Sequence, residues 1–564
     1  MTEDRPKALV LGSDTRSFLS TIRSLGRRGV EVHVAWCARD SVSVRSKYVH
    51  SVHSPLRPPS GGWVEEFEAL LQREQFDLVI PCNDPSILPL HQERQRFSDH
   101  RIYLIDEGIF DTVMDKAEVN RIASAAGLRL PREAAIRGKE DFDALNQITP
   151  PYVLKPTQSY VSSNLGQKNH VAILPEKQSA VAAIDRMLRS TPVAVQEYFE
   201  GVGVGVEFIA RDGRVLSAFQ HQRLHEPPGG GGSSYRKSCK LDPELAEATE
   251  ALVGALGYTG IGMAEFKYNP TSRDWIFVEL NSRFWGSLPL AVNCGADFPA
   301  YLFDMLCNGR EDFPRDCREN QTCRNWLLDL KWLQKTASAN GTSLRRHAAL
   351  AWQLICELRY PMTLRESSDT FNWDDPQPAI RELTDSAGAI PRRIRRKLSK
   401  KALQVPALRR RARRHLLGRI SAAQHVLFVC KGNICRSPFA QRYALTKLRH
   451  VRHIRSSGYY PKQSRPSPEN AQTAASQFGV DLGDHRSSVL SQEMVDDADL
   501  ILVFDEENRD EIGSRYPRAK AKTYLLGTLL DDADAVITDP YGGSVEGFHS
   551  IYTKITRALD GVPN

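Results

Sequence analysis

The residues best placed for chemistry are Cys430-Lys431-Gly432-Asn433-Ile434-Cys435-Arg436-Ser437, which follow a strand-like apolar run from His425 to Val429. A cysteine and an arginine with five residues between them can close a loop whose backbone N–H groups point at one oxyanion. Such a loop, fed by a strand and opening a helix, binds phosphate through amide donors and the positive helix end. The same field favours the thiolate of Cys430, the form that attacks phosphorus. Arg436 can hold two phosphate oxygens at once. Gly432 and Asn433 suit positive-φ loop geometry. Ser437 can donate to the thiolate, and Pro438 fits the first turn of a helix expected over 439–448. A cysteine phosphatase also needs an acid to protonate the leaving oxygen, and Asp539, in Asp539-Pro540-Tyr541-Gly542-Gly543, is the candidate.

A second set of residues lies in the N-terminal half. Lys116 opens a helix, Lys155 ends the strand-like run 151–156, and Gln196-Glu197 end another. Two further runs, 260–266 and 275–283, are expected to pair antiparallel across a turn at 269–273. Residues two apart on a strand share a face and a neighbouring strand adds a third, so Glu265, Glu279 and Asn281 should meet. Two carboxylates and an amide oxygen are hard ligands suited to Mg2+ bridging nucleotide phosphates, and lysines supply point charges for those phosphates.

Two resemblances follow from these residues. Residues 424–562 resemble a low-molecular-weight protein tyrosine phosphatase. That resemblance implies Cys430 as nucleophile, Arg436 as phosphate-binding arginine, Asp539 as general acid, and Asn433 and Ser437 as loop stabilisers. Ser456-Ser457-Gly458 and His485-Arg486 match later family segments, while Gly542 stands where many members carry a second aromatic. Roughly residues 5–310 resemble the ATP-grasp fold of carbamoyl-phosphate synthetase-like carboxylate–amine ligases. This implies that Lys116 and Lys155 contact ATP phosphates, that the Gln196-Glu197 strand lines the adenine, and that Arg223 with the glycine run 229–232, Ser233 and Ser234 forms a lid closing over the reacting groups; the alternative for the four glycines is a disordered lid with no contact role. It further implies Mg2+ (or Mn2+) on Glu265, Glu279 and Asn281, with Arg283 facing the γ-phosphate. ATP then activates a carboxylate as an acyl phosphate, which an amine displaces.

The surrounding sequence sets the expected frame. At 564 residues the chain is too long for one core. The expected fold class is multidomain α/β: a pre-ATP-grasp α/β domain over 1–105, α+β grasp subdomains over 106–310, a helical extension over 311–390, a basic linker over 391–422, and a doubly wound parallel-sheet phosphatase over 423–564. Gly12 completes no dinucleotide fingerprint, which disfavours NAD. The net charge of +7 is local, because 392–419 holds thirteen Lys or Arg and no acid, leaving the remainder net negative. That stretch suits an anionic membrane surface or an acidic partner, or a solvated, partly helical tether. No aromatic interleaves it, which counts against nucleic acid. Ten cysteines without metal-type spacing, and no apolar span or leader, point to the cytoplasm, with peripheral membrane association as a variant. The expected function is bifunctional: ATP-dependent ligation plus phosphomonoester or phosphotyrosine hydrolysis through a phosphocysteine, requiring no cofactor. The alternative is a regulatory tyrosine phosphatase of a surface-polysaccharide system with the ATP-grasp part as nucleotide sensor.

Overall fold

The computed structural model describes residues 5–58, 61–156, 171–188, 191–227, 232–339, 343–387, 405–530 and 536–563. Residues 229–231 of the expected lid and 392–404 of the basic stretch fall outside these. The chain divides into two compact units, Met1–Leu383 and Thr384–Asn564.

In the first unit, strands β1 (Lys7–Leu11), β2 (Glu31–Ala35), β3 (Val49–Val52) and β4 (Leu78–Pro81) form a parallel sheet in the order β3-β2-β1-β4. Ala8, Val10, Val32 and Val34 bury one face against Phe18, Ile22 and Leu25 of the helix Ser17–Arg27. Leu9, Leu11 and Ala35 bury the other against Phe67, Leu70 and Leu71 of the helix Trp63–Glu74. Both faces are covered, so these strands read as unbroken apolar runs rather than alternating ones.

Two antiparallel sheets follow. β5 (Glu133–Ile136), β6 (Tyr152–Pro156), β7 (Ala172–Leu174) and β8 (Val193–Glu197) pair in the order β5-β8-β6-β7. The larger sheet comprises β9 (Val202–Arg211), β10 (Arg214–His225), β11 (Tyr235–Cys239), β12 (Gly260–Tyr268), β13 (Trp275–Asn281), β14 (Thr322–Arg324) and β15 (Glu366–Ser368). Its order is β13-β12-β9-β10-β11-β14-β15, antiparallel except for the last pair. The helix Pro243–Leu256 covers it with Leu245, Leu252 and Val253. That helix starts where Asp242 accepts from the N–H groups of Glu244 and Leu245, and it stops at left-handed Gly257. A parallel α/β layer followed by antiparallel α+β layers is the layout expected of this region.

The second unit has four parallel strands, β16 (His425–Cys430), β17 (His453–Gly458), β18 (Leu500–Val503) and β19 (Thr523–Leu525), in the order β17-β16-β18-β19. Val426, Phe428 and Cys430 face the helices Arg436–Lys447, Glu469–Ser476 and Val545–Asp560. Leu427 and Val429 face the helices Gln492–Asp497 and Glu506–Arg515. The sheet is doubly wound, as expected. One boundary differs from the reading by charge. Pro406–Ala422, the C-terminal part of the 391–422 tether, is a helix whose Leu416 and Ile420 are fully buried in the core beneath β16. Its arginines lie around those two apolar residues, so charge density hid a packed face.

Candidate active site

Cys430 is the last residue of β16, and the helix Arg436–Lys447 begins six residues later. Between them Asn433 adopts φ +51°, a left-handed conformation that asparagine tolerates better than most residues. Its N–H donates to Cys430 Sγ at 3.3 Å, and Ser437 Oγ lies 3.1 Å from the same sulfur. The Asn433 side chain ties the loop to its surroundings. Nδ2 donates to Ser437 Oγ and Ser456 Oγ at 2.9 Å each, and Oδ1 accepts from the Ser488 N–H at 2.7 Å. From outside, Arg465 Nη2 donates to the Gly432 carbonyl at 2.6 Å and His485 Nε2 to the Asn433 carbonyl at 2.7 Å. His485 must carry its proton on Nε2 to do so. Burial pulls its pKa down, against the hydrogen bond to Asn433.

A glycine lets this loop sit where it does. A Cβ on Gly458, at the end of β17, would lie 2.7 Å from the Asn433 nitrogen, 2.8 Å from the Lys431 oxygen and 2.9 Å from the Gly432 carbonyl carbon. The neighbouring strand therefore forms the floor of the loop, and only a hydrogen fits between.

Arg436 is 1% exposed. Its Nη1 donates to Asp505 Oδ2 at 2.6 Å and to the Ile537 carbonyl at 2.9 Å, and its Nη2 lies 2.8 Å from Asp539 Oδ2. Its Nε is buried with no hydrogen-bond partner among the described residues. Burial alone would lower the guanidinium pKa, but Cys430, Asp539 and Asp505 reverse this and raise it. The cation is fixed in place with an unused donor. Asp539 is partly exposed, on the turn that also carries the exposed Tyr541, and Asn470 Nδ2 holds that turn through the Gly543 carbonyl at 2.9 Å. Cys435, by contrast, is buried, and burial followed by the charge at Cys430 pushes its thiol far up. The two cysteines of the octet thus have different environments. Asp505 and Arg465 were not singled out by spacing, and Gly458 entered only within the Ser456-Ser457-Gly458 segment. Asp505 lies two residues beyond β18, and a carboxylate at the C-terminal end of a parallel strand was the available signal.

In the first unit, β12 and β13 place Glu265 directly opposite Glu279, and Met263 opposite Asn281. Asn281 Nδ2 lies 3.0 Å from Glu265 Oε1 and 3.5 Å from Glu279 Oε1. The three expected oxygen-donor residues are therefore together. Turned by 180° about its last torsion, the amide would present oxygen instead, and the set then fits a hard divalent cation. Lys116 Nζ reaches Glu279 Oε2 at 3.0 Å from the start of a helix capped by Asp115. Arg223 Nη2 reaches Glu265 Oε2 at 2.6 Å. Burial pushes the Glu279 carboxyl up, but Lys116, Lys155 and Arg223 outweigh it and hold it at about 2. Lys155 is pulled below its ordinary value by burial, with Glu279 opposing and Lys116 adding to the shift.

The remaining expected residues have other partners. Arg283 Nε pairs with Asp84 Oδ1 at 2.8 Å. Gln196 Nε2 donates to Glu133 Oε2 at 2.5 Å, and Glu197 Oε1 accepts from the Thr149 N–H at 3.4 Å.

The segment 311–390, expected only as a helical extension, contributes to a buried polar network. His225, fully buried, lies 2.7 Å from both Asp329 Oδ1 and Glu357 Oε1. Ser234 Oγ donates to the same Asp329 oxygen at 2.6 Å. Arg324 pairs with Asp329, Glu357 and Glu366. Burial lowers the His225 pKa, but its two carboxylate partners raise it overall. Asp329 thereby pins both ends of the glycine-rich segment, at His225 and at Ser234. The partners are about a hundred residues apart in sequence, and no spacing rule links them.

A parallel strand that delivers a cysteine into a loop opening a helix, with a buried arginine over that loop, defines a phosphate-binding hydrolase of the cysteine-dependent phosphatase class. Residues 425–562 match the family model for low molecular weight phosphotyrosine protein phosphatase, and the chain belongs to that family through its second unit. It is 31% identical over 135 residues to a protein-arginine-phosphatase of Geobacillus stearothermophilus, covering 24% of this chain and 90% of that protein. It is 34% identical over 133 residues to the low molecular weight protein-tyrosine-phosphatase Etp of Escherichia coli, covering 24% and 88% respectively. Among solved structures, a biotin carboxylase–beta-gamma-ATP complex from Campylobacter jejuni matches at 15% identity over 57% of this chain and 74% of that chain, with a TM-score of 0.46. A likeness of that degree identifies no activity. No helix among the described residues is long and apolar enough to cross a membrane.

Proposed function

We propose that the chain is a bifunctional enzyme, with a protein-tyrosine-type phosphatase in its second unit and an ATP- and Mg2+-dependent carboxylate–amine ligase in its first. The observation that carries the phosphatase reading is the Cys430 loop itself. The sulfur accepts from the Asn433 amide and lies 3.1 Å from Ser437 Oγ, while Arg436 presents an Nε without a partner among the described residues from a buried site. Cys430 attacks the phosphorus of a bound phosphomonoester and becomes phosphorylated as the P–O bond to the leaving group breaks. Arg436 holds the equatorial oxygens. Asp539 donates a proton to the departing oxygen and then takes one from the water that cleaves the S–P bond. In the resting site Asp539 lies on Arg436 Nη2. An incoming dianion replaces this contact, leaving the carboxyl beside the leaving group. The substrate is a phosphotyrosine protein or a related phosphomonoester, and the exposed Tyr541 provides an aromatic wall.

The first unit's reading rests on the cluster of Glu265, Glu279 and Asn281 with Lys116, Lys155 and Arg223 around it. Bound Mg2+–ATP would supply the phosphoryl group that makes a carboxylate reactive toward an amine. Glu265, Glu279 and Asn281 would hold the cation. Lys116 and Arg223, now paired with those acids, would turn to the phosphates, and Lys155 would add charge from its buried position.

Hydrolysis of p-nitrophenyl phosphate tests the first activity. Cys430→Ser abolishes it, and Asp539→Asn lowers kcat by about 10²–10⁴. Full activity in either variant overturns the assignment. Phosphotyrosine and phosphoarginine peptides offered side by side establish the substrate. ADP release from ATP with pools of carboxylates and amines tests the second activity, which Glu279→Gln abolishes without affecting the phosphatase.

A further inference from the structure

The first sheet carries a cluster that neither activity uses. β2 and the edge strand β3 bring together Glu31, His33, His50 and His53, near the end of the helix Trp63–Glu74. His33 is 3% exposed and both its ring nitrogens are engaged. Nε2 lies 2.9 Å from Glu31 Oε1, and Nδ1 lies 2.8 Å from His53 Nε2. His50 Nε2 lies 3.5 Å from the same Glu31 oxygen. One ligand atom from each of Glu31, His33 and His50 falls within 4.8 Å of the others.

We infer that Glu31, His33 and His50 bind one divalent cation of the Zn2+ class, with His53 as the outer hydrogen-bond partner of His33. The carboxylates select this trio over the equally compact His33, His53 and Glu74: Glu31 Oε1 faces both imidazoles, at 2.9 and 3.5 Å, whereas Glu74 Oε1 is held by Arg73 at 3.0 Å. Zinc bonds of about 2.0–2.1 Å in a tetrahedron place ligand atoms about 3.3 Å apart. The two contacts to Glu31, at 2.9 and 3.5 Å, bracket that spacing and need only small side-chain shifts. The 2.8 Å between His33 Nδ1 and His53 Nε2 suits an N–H···N hydrogen bond. His33 therefore coordinates through Nε2, keeps its proton on Nδ1 and donates it to His53. That outer bond fixes the tautomer and ring plane of a metal-binding imidazole.

The surroundings set the character of the site. The ring of Phe76 stands edge-on to His33 at 5.1 Å and to His53 at 6.2 Å, closing the inner side with apolar surface. His50 has more than half its side chain exposed, so water completes the shell and the ion exchanges with solvent. Two imidazoles and a carboxylate favour Zn2+, Co2+ or Ni2+ over Mg2+. The all-oxygen set at Glu265, Glu279 and Asn281 has the opposite preference. The chain would thus carry two cation sites of different selectivity. At the first, the ion ties β2 to the sheet's edge strand.

The test uses the full chain after stripping with a chelator. Zn2+ titrated by calorimetry against the intact protein gives one site that excess Mg2+ does not displace. Co2+ bound there gives visible d–d bands without the near-ultraviolet charge-transfer band of a thiolate ligand. Glu31→Gln and His50→Ala each weaken Zn2+ binding at least tenfold. His50 is solvent-facing, so its variant folds, and its melting temperature no longer rises with Zn2+ as that of the parent does. Absence of Zn2+ binding, or unchanged affinity in both variants, reduces the cluster to a hydrogen-bonded imidazole chain and overturns the inference. A thiolate band that disappears in Cys430→Ser places the metal on the phosphatase loop and also overturns it.

Discussion

Gly458→Ala probes the phosphate loop without touching any group that reacts. The added methyl carbon would sit 2.7, 2.8 and 2.9 Å from three backbone atoms of residues 431–433. Ordinary contact begins near 3.4 Å, so the backbone must retreat by about 0.5–0.7 Å on one side, and no flexible side chain can absorb the movement. Overpacking of this size costs about 1–3 kcal/mol of stability, which leaves the unit folded. The consequence for catalysis is larger, because a displacement of about 1 Å at reacting atoms costs about 100-fold. The N–H of Asn433, which bonds the sulfur, is one of the three atoms displaced. We therefore expect kcat/KM for p-nitrophenyl phosphate to fall about 10- to 100-fold, equivalent to about 1.4–2.7 kcal/mol of transition-state stabilisation. The fall should come mainly through kcat, with the unfolding midpoint lowered by about 2–4 °C for each kcal/mol lost. Gly418→Ala is the control. It lies within the helix Pro406–Ala422, nothing stands within 4 Å of its Cβ, and activity should be unchanged. A Gly458→Ala enzyme within threefold of the parent would show that the loop does not depend on close approach to β17.

Asn433→Ala removes three side-chain hydrogen bonds and puts alanine at a positive φ. Phosphatase activity should fall at least tenfold, and calorimetry should show a loss of about 2–4 kcal/mol. The Glu279 carboxyl is held at about 2, below its ordinary value near 4.5. Its stabilising contribution is complete above pH 4.5 and is lost as pH falls toward 2, so the parent should lose stability across that window faster than Glu279→Gln. His225 has the opposite sign. Its raised pKa gives stability that is complete below its ordinary value near 6.5 and is lost as pH rises through the folded value. His225→Gln should remove that alkaline loss from urea-melt profiles, and His225→Ala should cost about 3–5 kcal/mol by leaving buried acids less compensated. Leu416→Ala should destabilise the second unit by about 2–5 kcal/mol, as expected for a fully buried leucine. An effect under 0.5 kcal/mol would contradict its place in that core.

The sequence was most legible where chemistry and periodicity coincide. The octet at 430–437 joins a strand to a helix, and its positive-φ residue, its helix start and its nucleophile all lie within eight positions. The pairing of β12 with β13 was likewise readable, because a single turn separates two alternating runs and strand period fixes which side chains meet. Long-range partners were not. Asp505 reaches Arg436, and Asp329 reaches His225, across stretches whose geometry only the complete fold determines. Arg283, expected at the γ-phosphate from the resemblance, likewise pairs with Asp84, a partner that no spacing announced. Charge density misled at 406–422, where six arginines outweighed three leucines and an isoleucine in the reading.

That helix has a practical consequence for anyone cutting the gene. The family's own boundary begins at residue 425, but Leu416 and Ile420 lie upstream of it and plug the hollow beneath β16. A fragment trimmed to the match would leave an oily notch open to water and should be sticky and short-lived. One begun near Val405 should behave. The Pro406–Ala422 part of the arginine-rich segment is thus a plug for the core of the second unit.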